Sequence, residues 1–551
     1  MTPCGRLQNG GPKLPWVEVP GSAKHPEWWF TPDGRQVVRD VDTLVGPVVS
    51  LAPFTRIRQQ TMEGINPRTP VLVGVGQLKH PIADLAESVE PIEMMLRATR
   101  LAEADTGVTL LDQVDSVRVV RGVWEYVNPA GWIAAQIGAG DAQTVGTLFG
   151  GNQNQALMNQ TARDILAGNA ELVLITGAEN GYSAAKARKT GVTLPATETP
   201  GEPDVVFGHA QKSEHHYFEM AKGIRMAIQV YPMYENAIRH ARGETMSGHL
   251  ERVSSLWSRF NDVAQRNPTA WIDYNLTAEE IVTPSPTNRA VSYPYPKLMN
   301  ANNAVDMGAA LIVTSVGKAR ELGIDESRFV YPHAGVEGQD HFSASVRDNF
   351  HTSPGIRLIG ETLFELAGVA AADLDYVDLY SCFPSAVQVA AMELGLGEAR
   401  DLTVTGGLTF NGGPLNNYVM HSIARMAELL RENPGTTGLV TANGGNLYKH
   451  AHGIYSASPP ARDFEWRNVQ PQIDALPGRT CVAEHDGEVT VESYAVMYGV
   501  DGPNVAHVAC LTPDGARTWV NVEDPDLMLA MTREEFCGRA GNLSAQGLQL
   551  R

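Results

Sequence analysis

A layered α/β protein in two similar halves, with a mostly helical insertion and a small β-domain at the end, is the fold class this sequence predicts. Three observations carry that expectation. Apolar strand-like runs alternate with helical segments over about 66–182 and again over about 291–460. One ordered pattern of features occurs in both stretches. After about residue 465 the texture changes to short alternating runs with tight turns. Strand–helix alternation implies sheets buried between helices.

The elements follow in order. Residues 1–65 carry Pro15, Pro20, Pro26, Trp28 and Trp29 without sustained periodicity, and read as an irregular extension; Met62 is an alternative start. Val71–Gly76 reads as a buried strand, and Ile92–Asp105 has helical spacing. The recurring pattern begins at Phe149-Gly150-Gly151-Asn152, which opens a helix ending near Gly168, followed by the strand Leu172–Thr176 and a glycine turn. Its second copy begins at Phe410-Asn411-Gly412-Gly413-Pro414, opens a helix ending near Pro434, and leads through Leu439–Thr441 into Asn443-Gly444-Gly445. Two such halves facing each other would place both glycine-rich helix starts in one cleft. Residues 183–290 are mostly helical and irregular, with proline-rich links. Val489–Tyr498, Val505–Leu511 and Thr518–Val522 read as short strands of a small barrel or sandwich spanning 465–551.

The totals exclude several classes. A chain of 551 residues needs two or three domains. No apolar run is long enough to span a membrane, and Met1–Gly11 lacks the apolar core of a secretion signal. The five cysteines are scattered and never spaced C-x-x-C, which points to a reducing, cytoplasmic setting without zinc ribbon or disulfide framework. A net charge of −19 opposes nucleic acid and anionic lipid. It also repels coenzyme A at long range, so such a ligand needs a locally basic or amide-lined site.

Several motifs, in their order, resemble the thiolase superfamily, its sterol-carrier-protein type above all. Thr69–Pro81 is similar to the family's first strand and the turn after it. Ala178-Glu179-Asn180, Asn302–Ala310, Tyr376–Phe383 and Gly406–Pro414 fall where the family has further signatures. The likeness covers about 66–460. The final β-domain on such a core resembles the mycobacterial thiolase-like proteins of type 1. The resemblance implies a duplicated five-layered αβαβα core with an OB-like C-terminal domain. It implies an acyl-CoA or CoA ligand, no cofactor, a place in lipid metabolism and a homodimer, although the extra domain and the N-terminal extension could cover that surface and leave a monomer.

The chemistry of that family is missing. A thiolase needs a cysteine at a helix start, where free amides and the helix dipole stabilise the thiolate and the thioester oxyanion. Here that position is Gly151, and no cysteine lies between Cys4 and Cys382. By resemblance, the other classical groups become Gly413, Ala442 and Tyr380. Thiolysis and acyl transfer by the usual route, as in an acetyl-CoA acetyltransferase, are therefore not expected. Main-chain amides at Gly151 and the Gly444-Gly445 turn could still hold an oxyanion, or could be plain tight turns. Tyr380 falls at a strand-to-helix turn before Pro384, where α/β sites gather. A tyrosine there resembles the thiolase-fold aldolases that cleave β-hydroxyacyl-CoA and work with a separate OB-fold partner. A phenol can act as acid or base in such a cleavage. It could equally be a half-buried core tyrosine with a satisfied hydroxyl.

Tyr418 and His421 lie one turn apart on a helix and could add a second proton-transfer group, or serve structure alone. Lys449, His450 and His452 read as a solvated loop more readily than as a phosphate contact, and no third ligand stands near to make a metal site. Cys382 reads as a small buried hydrophobe. Single-stranded nucleic acid is disfavoured for the last domain, because 462–551 holds 7 basic and 14 acidic residues. The expectations are thus an acyl-CoA-binding protein that either breaks and makes carbon–carbon bonds at Tyr380 or carries CoA thioesters without turnover.

Overall fold

The computed structural model describes residues 64–208 and 215–551. The extension expected over 1–65 lies outside the described residues, apart from Gly64 and Ile65. Among the described residues, no helix is long and apolar enough to cross a membrane.

Two sheets form the core, and they repeat one another. The first runs Pro70–Lys79, Asp306–Ser315, Leu172–Asn180, Ser116–Val119, Gln143–Thr147, Val205–Phe207. Its first two pairings are antiparallel and the rest parallel. The second runs Tyr376–Asp378, Thr437–Gly444, Lys449–Ser456, Tyr331–Gln339, Glu465–Asn468. There, Tyr331–Gln339 pairs antiparallel with Lys449–Ser456, which pairs antiparallel with Thr437–Gly444, which pairs parallel with Tyr376–Asp378. The first sheet has the same succession, with Pro70–Lys79, Asp306–Ser315, Leu172–Asn180 and Ser116–Val119 in the corresponding places. Duplication is therefore visible in strand order and direction.

Between the sheets lie the helices Gln153–Ala167 and Tyr418–Glu432, each packed on strands of both. Outside them, Pro91–Thr106 covers the first sheet and Pro354–Ala367 the second. The result is five layers. The first turns of a helix in the middle layer have no solvent face, so Gln153–Ala167 buries Gln153, Asn154, Gln155 and Asn159 along with its apolar residues. Two of these amides are matched: Gln155 donates to Asn159 at 2.8 Å, and Tyr455 donates to Gln155 at 2.9 Å.

One boundary differs from the sequence reading. The strand Asp306–Ser315, expected in a second half beginning at 291, lies in the first sheet between Pro70–Lys79 and Leu172–Asn180. All ten of its residues are buried, so it needs partners on both edges. The insertion is therefore a long connection between two neighbouring strands of the first half. In the second half the same two strands are joined by the short turn 445–448. Likewise Glu465–Asn468, placed by the sequence in the last domain, pairs with Tyr331–Gln339 of the second sheet.

The C-terminal strands form an antiparallel sheet in the order Arg517–Val522, Pro503–Leu511, Gly487–Tyr498, Ala540–Ser544, Gly547–Leu550, with its own apolar core. The insertion's helix Ala227–Arg242 packs on Gly487–Tyr498. Asn236 donates to the Tyr494 carbonyl at 2.8 Å, and Ser493 donates to the Met233 carbonyl at 2.6 Å. The insertion's strand Ala290–Tyr293 also joins that sheet.

Candidate functional site

The start of the central helix Gln153–Ala167 opens onto a cleft of about 390 Å³. Gly150 and Gly151 form its floor, with the turn Tyr380–Phe383, the strand end Asn443-Gly444-Gly445, and Ile228 and Tyr231 of the insertion around it. Tyr380 follows the strand Tyr376–Asp378, and Pro384 opens the next helix, Pro384–Glu393. The expected strand-to-helix turn is thus present, and Tyr380, Gly151, Gly444 and Gly445 share one cleft.

Gly151 and Tyr380 are in contact. A Cβ on Gly151 would lie 2.6 Å from the Tyr380 phenol oxygen and 2.4 Å from the Asn443 carbonyl oxygen. No side chain fits there without displacing one or the other, so the tyrosine hydroxyl stands where a nucleophile's side chain would begin. Gly444 is equally confined, since its Cβ would meet Asn152 Oδ1 at 2.7 Å and the Gly151 nitrogen at 3.2 Å. The two glycine segments can therefore close on each other and on a ligand.

The other substituted positions stand back. Ala442 is fully buried in its strand, and Gly413 donates its amide to the Asn302 carbonyl at 2.9 Å. Neither lines the cleft.

Tyr418 and His421 do not reach the cleft as the second proton-transfer group that their helical spacing allowed. Both are fully buried. The Tyr418 hydroxyl donates to Asp378 at 3.2 Å and meets Thr405 Oγ1 at 2.7 Å. Asp378 also receives Ser422 at 2.7 Å and Thr403 at 2.9 Å, and burial raises its carboxyl above the usual range. His421 Nδ1 meets Gln77 Oε1 at 2.9 Å, and burial pushes the imidazole down to about 3. What Tyr418 does contact is the Tyr380 ring, edge to face at 5.7 Å.

Lys449, His450 and His452 are not a solvated loop. They sit in the buried strand Lys449–Ser456, because that strand lies between two others. His450 Nε2 is 3.5 Å from Asp340 Oδ2, and His450 and Arg347 hold the Asp340 carboxyl down at about 2 against its burial. Burial also lowers the His452 imidazole.

Two cleft residues escaped the sequence reading. Tyr231, fully buried, donates to the Gly445 carbonyl at 3.2 Å and accepts from Asn443 Nδ2 at 3.0 Å. Its only signal was an aromatic residue before Pro232 in an irregular region. Asn443 stands in Ala442-Asn443-Gly444, where the sequence marks only a turn. Cys382 lies against both residues, and burial pushes its thiol up to about 12, so it is no thiolate at neutral pH.

Residues 468–547 match the family model of the thiolase-like protein type 1 additional C-terminal domain. A monomeric SCP2-thiolase like protein type 1 from Mycobacterium smegmatis is similar over 88% of this chain and 99% of its own, at 29% identity and a TM-score of 0.75. The fold is shared with an Ltp2–ChsH2(DUF35) aldolase at 20% identity, over 72% of this chain and all of that one, with a TM-score of 0.56. It is shared also with an acetyl-CoA acetyltransferase from Syntrophomonas wolfei at 14% identity, over 71% and 99%, with a TM-score of 0.51. With the duplicated core and the added β-domain, the chain has the thiolase fold, is similar over most of its length to an SCP2-thiolase like protein type 1, and carries a region that matches the type 1 additional C-terminal domain.

Proposed function

We propose that the cleft holds an acyl-CoA thioester and that the protein breaks or forms a carbon–carbon bond beside the thioester carbonyl, with Tyr380 moving the proton. The observation that carries this reading is the contact of the Tyr380 phenol with Gly151 at the helix start. In the cleavage direction a β-hydroxyl gives up its proton, the Cα–Cβ bond breaks, and its electron pair passes into the thioester enolate. The carbonyl product leaves, and a proton returns to Cα. Such a step needs an oxyanion site and an acid/base, not a cysteine. The Gly151 amide and the dipole of the helix Gln153–Ala167 supply the first, and the phenol supplies the second. The fold shared with an aldolase accords with this reading. The relative from Mycobacterium smegmatis is monomeric, and we take this chain to act as a monomer too.

A second reading is a carrier of CoA thioesters without turnover. It is favoured by the burial of the Tyr418 hydroxyl and the His421 imidazole away from the cleft, where they meet Asp378 and Gln77. The test is mass spectrometry of CoA products from a panel of β-hydroxyacyl- and β-ketoacyl-CoA thioesters, with wild type and Tyr380→Phe. A shorter acyl-CoA, lost in the variant, supports the lyase. Intact thioesters with measurable binding would leave the carrier.

A further inference from the structure

Asn443 is 4% exposed, forms part of the cleft wall, and has only one of its two polar ends engaged. Its Nδ2 donates to Tyr231 Oη at 3.0 Å, and Tyr231 Oη donates its own proton to the Gly445 carbonyl at 3.2 Å. A main-chain carbonyl can only accept, so the phenol is committed as donor there and as acceptor toward Asn443. That order fixes which end of the carboxamide faces Tyr231. The other end, Oδ1, is buried and takes no donor among the described residues. Asn300 repeats the arrangement in the same cleft: Nδ2 donates to the Pro296 carbonyl at 2.7 Å, and Oδ1 has no donor among the described residues. Buried acceptors are normally satisfied, and two such oxygens at one cleft are a signature of a ligand that brings donors.

We propose that Asn443 is a specificity-determining residue, whose Oδ1 receives the hydrogen bond of a hydroxyl on the acyl group, with Asn300 as a second acceptor in the cleft. The inference rests on the reading of the cleft as an acyl-thioester site and sharpens it. An oxo group would set lone pair against lone pair at Asn443, and a methylene would leave the oxygen unpaired. Of the three, the hydroxyl satisfies it. The site therefore separates 3-hydroxyacyl from 3-oxoacyl and unsubstituted thioesters before any chemistry occurs. Sites that hydrogen-bond a substrate hydroxyl reject analogues without it, because the site's own polar group is then stranded.

Binding tests this apart from turnover. Full-length Tyr380→Phe protein is titrated calorimetrically with 3-hydroxybutyryl-CoA, 3-oxobutyryl-CoA and butyryl-CoA. We expect the hydroxy thioester to bind about tenfold or more tightly than either of the others. In Tyr380→Phe carrying Asn443→Ala, the three should bind within about twofold of each other, whereas Asn443→Asp, which keeps an acceptor, should retain the preference. Equal binding of the three to Tyr380→Phe overturns the inference, and so does a preference that survives Asn443→Ala. If the alanine variant does not fold, the three-thioester comparison on Tyr380→Phe decides alone. A hydroxy preference without product in the wild-type mass spectrum removes the lyase and keeps the inference. Product formation with equal binding does the reverse, and no binding of any thioester overturns both.

Discussion

Arg239 of the insertion grips Glu535 of the C-terminal β-domain with both arms of its fork: Nε to Oε2 and Nη2 to Oε1, each 2.9 Å. Arg239 is almost fully buried and also donates to Asn236 Oδ1 and the Tyr494 hydroxyl. The helix that carries it also carries Ile228 and Tyr231 to the cleft. Arg239→Met, which leaves Glu535 to the solvent, is therefore expected to lower unfolding stability by about 2 kcal/mol, and Glu535→Gln, which strands the buried guanidinium, by about 3 kcal/mol. Denaturant titration of both variants checks the order.

Arg517 is a stricter case. It is fully buried, donates to the carbonyls of Ala344, Ser345 and Arg347, and pairs with Glu492 at 2.5 Å. Arg517→Leu strands the mostly buried Glu492 carboxylate and three carbonyls. A loss of about 3–5 kcal/mol is expected by denaturant titration.

Glu179 makes stability depend on pH. Burial pushes its carboxyl up to about 8, against the pull of the Val123 amide and Arg121. Its folded form thus keeps a proton that the unfolded chain has lost. Its contribution is fully present below the unfolded carboxyl range and is lost as pH rises through about 8. Glu337, raised by burial to about 7, acts in the same direction. The contribution of these two carboxyls is expected to fall by on the order of a few kcal/mol between pH 5 and pH 8, opposed by His421 and His452, which burial keeps neutral, so the Glu179 part is read as the difference in slope between wild type and Glu179→Gln. Parallel slopes in the two proteins would mean that Glu179 is already ionised in the fold.

Gly151→Cys does not restore a thiolase. The new Cβ would meet the Tyr380 hydroxyl and the Asn443 carbonyl, so the variant is expected to lose about 1–3 kcal/mol and to form no acyl-enzyme. Intact-protein mass spectrometry after incubation with acetyl-CoA reads the second point and thermal melting the first.

Tyr418→Phe separates the ring from the hydroxyl. The edge-to-face contact with Tyr380 is kept, while Asp378 and Thr405 lose a partner. The expected outcome is a loss of about 1–2 kcal/mol with CoA-thioester affinity unchanged.

The architecture was legible where burial and turn chemistry suffice. The strand from Val71, the helix from Ile92 and the two glycine-opened central helices stand as the sequence reads them. What escaped depends on partners far away in the chain. The ten apolar residues Asp306–Ser315 announce a strand but not its sheet. Tyr418 and His421 do share a helix face, yet that face meets Asp378 and Gln77, and spacing carries no information about what lies opposite. Lys449 to His452 look soluble by type, and only the two flanking strands bury them. Asn443 required knowing that Tyr231, distant in sequence, already held its amide.

The ladder pairs Asn180 directly with Asp306. The long excursion through 181–305 therefore departs and returns at a single doorway on the first sheet, as a hairpin turn would. Lengthening a connection whose ends already meet adds little closure entropy, since that cost grows only with the logarithm of length. The doorway is a socket: a scaffold could exchange everything threaded through it, and so exchange the wall of its cleft, while the ladder on either side stays in register.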